Sequence, residues 1–211
     1  MESYKILMVG PPLAGKGTQC EIVANRFGLK HISSGDILRE EMKKETPLSK
    51  YIRDQLNSGL FVSDSVIRDL VNLHINKVEG GFILDGYPRT VEQLDSITFS
   101  YDKIFYLDTP MEYIMDRVEG RMSHPPSGRI YHTKYNPPKV EGKDDITGED
   151  LVKREDDKIE LIKRRVLDFI EKTSKVIERA IEMNKLARID GAQPKESITQ
   201  MIFSEIERIK Q

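Results

Sequence analysis

Cysteine occurs once in the 211-residue chain, at Cys20. A single thiol closes no intrachain disulfide and builds no four-thiolate zinc cage, so Cys20 reads as a small core residue. Charge of one sign is scarce as well: 33 Lys and Arg stand against 35 Asp and Glu, a formal net charge of −2. That balance gives no general attraction to nucleic acid or to an anionic membrane, so any cationic site has to be a local concentration of Lys and Arg. No apolar run approaches the length of a membrane span. Glu2 followed by only four consecutive apolar residues before Gly10 is not a signal peptide, and the cytosol is the expected location. Internal repeats and low-complexity tracts are missing, no Ser-His-Asp set is suggested by spacing, and the four histidines are scattered. What remains, 38% hydrophobic and 32% charged residues, describes a soluble globular chain of one ordinary domain, long enough to carry inserted subdomains.

Short apolar runs at 4–9, 31–33, 82–85, 103–108 and 186–189 read as buried strands. Between them lie amphipathic helical patterns, among them 63–77, 110–122 and a long charged one over 151–183. Such alternation predicts an α/β fold with a parallel five-stranded sheet and helices on both faces. Residues 34–62 keep a helical period broken at Pro47 and Gly59, which predicts a small helical insertion. Between Gly120 and Asp157 the composition changes: Pro125, Pro126, Pro137, Pro138, Gly128, Gly142 and Gly148 predict short strands and turns in a separate, ordered, lid-like subdomain.

The first strand runs into Gly10-Pro11-Pro12-Leu13-Ala14-Gly15-Lys16-Gly17-Thr18, and a helical segment follows from Gln19. Gly-x4-Gly-Lys between strand and helix is the phosphate-loop signature. Its glycines let successive N–H groups turn inward, and the helix presents its positive end to the same point. Lys16 adds a mobile charge, and Thr18 offers a hydroxyl to a metal ion or a phosphate oxygen. Asp85-Gly86-Tyr87-Pro88-Arg89 lies just past the carboxyl end of the third strand, where open α/β sheets bind ligands. Asp85 can reach metal-bound water, Gly86 permits close backbone approach, and Arg89 can grip a phosphate with two N–H groups. Taken alone, this stretch is equally a strand-to-helix turn with a capping Asp. Ser33-Ser34-Gly35-Asp36 with Arg39 either binds a phosphate or simply caps a helix.

Arg117 and Arg121, four apart on the predicted 110–122 helix, stand where the lid begins; Arg154 stands where it ends, with Arg165 three turns later. Charge runs on helices are usually solvated faces, and Lys153, Lys158, Lys163 and Arg164 read that way. The position of the arginines at the hinges of an insertion sets them apart, because phosphoryl transfer asks mainly for positioning and positive charge. Within the lid, His124, Ser127, Asp144 and Thr147 have the paired x2 spacing of a zinc ribbon. Ser and Thr are poor zinc ligands, so a hydrogen-bonded staple is expected and zinc is not. No motif supplies a general base, which fits an acceptor that is already an ionised phosphate.

Together these stretches resemble the adenylate kinase family in its long-lid form. The resemblance covers nearly the whole chain, through segments 10–19, 31–39, 59–64, 82–93, 116–121, 124–132, 136–148 and 153–157. It implies a P-loop three-layer core (1–32, 63–119 and 158–211), a helical AMP-binding insertion (33–62) and a small β-rich lid (120–157). It also implies reversible, Mg²⁺-dependent transfer from ATP to AMP, giving two ADP; no nucleic-acid or membrane partner is expected, and nothing in the sequence demands more than a monomer. On the ATP side it points to Leu13, Ala14, Gly15, Lys16, Gly17 and Thr18, to Arg121, to Ile130 and Tyr131 over the adenine, and to the backbone at Gln193. On the AMP side it points to Ser34, Arg39, the backbone of Leu60, Phe61 and Val62, Gly86, Arg89 and Gln93. Arg154 and Arg165 would bridge toward the AMP phosphate, Lys16 would follow the transferred group, and these with Arg89 and Arg121 would be the catalytic set. Asp85 would hold Mg²⁺ through water, and the Tyr87–Pro88 bond would be cis.

Three positions depart from the family pattern. Leu13 stands where relatives usually carry glycine, and a side chain there restricts positive φ and narrows the approach to the phosphates. Met122 replaces a common lid arginine, and Ser34 replaces a threonine. Two alternatives stay open on sequence alone: GTP as donor or another nucleoside monophosphate as acceptor, and a nucleotide-responsive switch without turnover. The presence of Lys16, Arg89, Arg121, Arg154 and Arg165 counts against the switch.

Overall fold

Strand β1 (Lys5–Val9) sends Ile6 and Met8 to one face of a sheet and Leu7 and Val9 to the other, and all four are essentially without solvent contact. That two-sided burial is why the run is continuously apolar, as expected for a central parallel strand. In the computed structural model, which describes residues 3–58, 60, 62–153 and 158–209, β1 lies in the middle of a five-stranded sheet. Its companions are β2 (Lys30–Ser33), β3 (Phe82–Asp85), β4 (Lys103–Asp108) and β7 (Leu186–Asp190), in the order β2-β3-β1-β4-β7 and parallel throughout. One face is covered by α1 (Lys16–Phe27) and α9 (Lys195–Arg208), whose Cys20, Val23, Ile198, Ile202 and Ile206 pack on Ile6, Met8, Ile83 and Phe105. The other is covered by α4 (Asp64–Ile75) and α8 (Ser174–Glu182), through Ile67, Val71, Val176 and Ala180 against Leu7, Leu84 and Ile104. The sheet and its two helix layers are the three-layer α/β fold expected from the alternation.

After β2 the chain forms α2 (Ser34–Met42) and α3 (Pro47–Asn57), a helical arm. Pro47 opens α3 where its missing N–H costs nothing, and Thr46 with Ser49 forms a capping box before it. Short α5 (Val91–Asp95) follows β3, and α6 (Met111–Asp116) follows β4. The helix predicted over 110–122 therefore stops early. The chain turns at Arg117, and Arg121 is already in β5 (Arg121–Ser123), antiparallel to β6 (Ile130–His132). Gly120 makes this turn possible: a Cβ there would sit 2.4 Å from His132 Cε1. Arg117 and Arg121 thus do not share a helix face. The long helix predicted from 151 is also corrected, because Ser123 and Val152 exchange backbone hydrogen bonds of 2.8 and 2.9 Å, tying the lid's end to its beginning. Helix α7 (Ile159–Asp168) starts later and passes through a π-turn (Phe169–Thr173) into α8.

The lid has little apolar core, and a polar staple holds it. Arg129 donates from Nε and Nη2 to both oxygens of Asp144, at 2.7 and 2.6 Å, and the Tyr131 hydroxyl donates to Asp144 Oδ1 at 2.9 Å. The amides of Ile146 and Thr147 donate to Asp144 Oδ2. His124 contacts Ser127 Oγ through Nδ1 and Glu149 Oε2 through Nε2, both at 2.7 Å. The Arg129 guanidinium, outweighing desolvation and helped by these donors, holds the Asp144 carboxyl far below the ordinary carboxylate range. The sequence expectation of a hydrogen-bonded network across His124, Ser127, Asp144 and Thr147 is met, with Arg129 as its unforeseen centre. Replacing Asp144 with Ala is expected to strip hydrogen-exchange protection from amides across 121–152 while the parallel-sheet core keeps its own. Unchanged protection across the lid would mean that something other than this carboxylate holds it.

Candidate active site

The loop between β1 and α1 is shaped by close approach and by a strained residue. A Cβ at Gly10 would lie 2.7 Å from Leu107 O, so only glycine lets the loop leave the sheet there. Leu13 takes a left-handed conformation, φ 61°, which costs a branched residue roughly 1–2 kcal/mol. Its side chain packs against Ile114, Val118, Ile162 and Val166, from α6, the turn after it, and α7. The strain is thus offset by a contact that a glycine could not make. Arg117 adds to it, donating from Nη1 to Ala14 O at 3.0 Å and to Leu13 O at 3.4 Å.

Lys16 Nζ donates to Gly10 O and Pro11 O at 2.9 and 2.7 Å. Desolvation lowers its pKa to about 8, with Asp85 opposing and Arg89, Arg165 and Arg121 adding to the fall. At the end of β3, burial alone would raise the Asp85 carboxyl, but His31, Lys16 and Arg89 together bring it below the ordinary carboxylate range. His31 Nε2 lies 3.6 Å from Asp85 Oδ2. Arg89 is fixed twice: its Nε donates to Gly86 O at 2.7 Å and its backbone N to Gln93 Oε1 at 2.7 Å. Thr173, in the π-turn, donates its hydroxyl to Arg89 O at 2.9 Å.

These groups face a cleft of about 450 Å³. Leu13, Ala14, Gly15, Lys16, Gly17 and Thr18 form its floor, Arg121, Ile130 and Tyr131 reach it from the lid, and Gln193 reaches it from the loop after β7. Tyr131 presents its ring there while its hydroxyl is held by Asp144. A second, smaller cavity is lined by Ser34, Arg39, Leu60, Val62, Gly86, Arg89, Gln93 and Arg165. Ser34 Oγ donates to Gly86 O at 2.9 Å, which ties the arm to the loop after β3, and Gln93 Nε2 donates to Asp64 Oδ1 at 2.6 Å, which ties α5 to the start of α4. Arg39, Gly86, Arg89 and Arg165 line both cavities. The lid leans on the arm: a Cβ at Gly128 would be 3.0 Å from Asp36 Oδ2. Arg154 and Phe61 lie outside the described residues. The sequence reading gave no role to His31 and no binding role to Arg117, though both line the larger cleft. The clue for His31 was its strand register, beside Ile83 and two residues before the partner of Asp85.

A phosphate loop at the carboxyl edge of a parallel sheet, opening on an arginine-lined cleft beneath a lid, defines a P-loop nucleotide phosphotransferase. The family model for adenylate kinase matches residues 8–184. An adenylate kinase of Francisella philomiragia subsp. philomiragia is 40% identical over 214 aligned positions, covering 96% of this chain and 99% of that protein. The chain belongs to the adenylate kinase family, whose members move a phosphoryl group between ATP and AMP.

Two outcomes follow from the loop. Between pH 8 and the ordinary lysine value of 10.5, the unfolded chain binds a proton at Lys16 that the folded chain has lost, so folded stability rises with pH through that window. Below pH 8 the buried ammonium carries a penalty, and Lys16→Met is expected to stabilise the nucleotide-free protein at pH 7 by roughly 1–3 kcal/mol. Urea denaturation of variant and wild type at several pH values measures this; a difference independent of pH would contradict it. Leu13→Gly relieves the positive φ but removes the apolar contact. It is expected to change global stability by about 1 kcal/mol or less while raising hydrogen exchange in 111–118 and 159–168. Unaltered exchange there would show that the leucine does not brace those helices.

Proposed function

We propose that this chain performs the ATP:AMP transfer of its family with Lys16, Arg89, Arg121 and Arg165 as the groups that neutralise the moving phosphoryl. Arg154 is assigned with them from sequence. The observation that carries this reading is the pair of cavities sharing Arg39, Gly86, Arg89 and Arg165, one over the phosphate loop and one on the helical arm. Two nucleotides lying in them would meet end to end at those arginines. ATP is assigned to the larger cleft, with Leu13–Thr18 around its phosphates, Ile130 and Tyr131 over its base and the Gln193 backbone at the base edge. AMP is assigned to the smaller one, against Ser34, Arg39, Leu60, Phe61, Val62 and Gln93.

The mechanism asks for no side chain to take a proton, since the attacking AMP oxygen is already ionised. The protein's part is alignment, charge and exclusion of water. Arg89, fixed by Gly86 O and Gln93, has little freedom left to lose when it grips a phosphate. The ionised Asp85 and the Thr18 hydroxyl offer hard oxygen donors, which suits Mg²⁺, with Asp85 acting through water. Bound there with ATP, Mg²⁺ would spread the charge of the terminal phosphates. Residues 33–62 and 120–157 are proposed as the parts that open and close over the core. The working form is proposed as a monomer. Its location is proposed as the cytosol; among the described residues no helix is long and apolar enough to cross a membrane.

The test is ADP formation from ATP and AMP with Mg²⁺, followed for wild type, Arg89→Ala and Arg165→Ala. Loss of one such preorganised cation is expected to lower turnover by about 10²–10³-fold with the fold intact by circular dichroism. Near-normal turnover in both variants would overturn the assignment. Transfer from GTP but not ATP, or to CMP or UMP but not AMP, would move the specificity within the same chemistry.

A further inference from the structure

Beneath the phosphate loop, side chains from three core elements converge, and two of them, Cys20 and His31, have no part in the proposed phosphoryl transfer. Cys20 on α1, His31 on β2 and Asp85 at the end of β3 bring Sγ, a ring nitrogen and a carboxylate oxygen within 4.8 Å of one another. Cys20 has no solvent exposure. His31 Nε2 is buried, and its partner is the Asp85 carboxylate, with Oδ2 at 3.6 Å, just beyond hydrogen-bond length.

We propose that Cys20, His31 and Asp85 form a three-ligand site for a thiophilic divalent cation of the Zn²⁺ type, with a fourth position left for water or a phosphate oxygen. Zn–S near 2.3 Å and Zn–N or Zn–O near 2.0–2.2 Å place tetrahedral ligands ~3.3–3.6 Å apart. The nitrogen–oxygen edge already has that length, and since no pair is more than 4.8 Å apart the sulfur has at most about 1.5 Å to close. One thiol, one imidazole and one carboxylate are a donor set that Zn²⁺ prefers and Mg²⁺ does not. On binding, the Cys20 S–H bond breaks, a Zn–S bond forms and the proton passes to solvent. The site departs from the sequence expectation of no zinc, which weighed the lid residues.

Because Asp85 cannot serve Zn²⁺ and the Mg²⁺ of ATP at once, occupancy would inhibit transfer. That clause rests on the proposed function; the binding test below does not. The metal-free full-length protein is titrated with Zn²⁺ by calorimetry and with Co²⁺ by absorption, without nucleotide. One ion per chain, proton release and a thiolate-to-Co²⁺ charge-transfer band are expected. The band should vanish in Cys20→Ala, and Zn²⁺ affinity should fall at least ~10-fold in His31→Gln. The lid variant His124→Gln should bind as wild type. Zn²⁺ binding undiminished in the Cys20 and His31 variants, or absence of the band in wild type, overturns the site. Should Cys20→Ala fail to fold, His31→Gln decides alone. In the assay arm, Cys20→Ala is expected to form ADP at the wild-type rate without Zn²⁺ and to resist Zn²⁺ inhibition. An enzyme that binds Zn²⁺ as described but makes no ADP would refute the transfer reading and leave the metal site standing.

Discussion

The ammonium of Lys16, desolvated at the carboxyl edge of the sheet with Arg89, Arg165 and Arg121 around it, is the constraint that its neighbours answer. Like charges at low dielectric repel by several kcal/mol unless something offsets them. Here the offset is assembled from separate elements. Asp85 comes from β3, the carbonyls of Gly10 and Pro11 from the loop itself, and Gly86 O and Gln93 hold Arg89 from either side. Even the π-turn between α7 and α8 contributes, since Thr173 bonds to Arg89 O. π-turns recur at functional sites because the extra residue re-aims a side chain that a regular helix would turn away. Positive charge held in place before a ligand arrives needs no reorganisation when charge moves, which is the resource that the proposed phosphoryl transfer would draw on.

Leu13 extends the same framework toward the lid. A side chain at the tip of a phosphate loop should narrow the approach, yet here it packs beside α6 and α7, the two helices that flank the lid. With Arg117 bonding the carbonyls of Leu13 and Ala14, the loop tip and the root of the lid become one packed unit. The loop tip and the end of α6 are therefore held in place by the same set of contacts.

The inner strands β3, β1 and β4 were legible because a parallel strand buried on both faces leaves a nearly continuous apolar run, whereas the half-exposed edge strands β2 and β7 showed only shorter apolar stretches between turn residues. The phosphate loop and Asp85 were legible because both sit at strand ends, where backbone geometry dictates residue type. Helix ends were less so. Residues 117–122 keep helical composition, but backbone pairing of Ser123 with Val152 and of β5 with β6 pulls them out of the helix. No local pattern encodes a partner thirty residues away. The positive φ of Leu13 follows from tertiary packing that overrides its local preference. The meeting of His31 with Cys20 and Asp85 depends on strand order, and β2 joins the sheet beside β3, its partner some fifty residues later in the chain.

The lid shows how a polar staple can stand in for an apolar core. Its two three-residue strands cannot stand alone, and a segment this size has too little apolar surface to build a core. Tyr131 and Leu151 are among its few buried apolar side chains. Asp144 replaces that missing core with directional bonds, gathering Arg129, Tyr131 and two backbone amides around one enclosed carboxylate. Such a carboxylate stabilises only because every lone pair is matched, since a buried charge missing one partner destabilises more than an apolar residue would. All of these bonds lie within 124–149, and none crosses to the core. The staple is therefore internal to the lid, whose outward contacts are separate, among them Gly128 against Asp36 of the arm, Asn136 Oδ1 accepting from Lys195 Nζ at 3.0 Å, and Arg121 at the cleft.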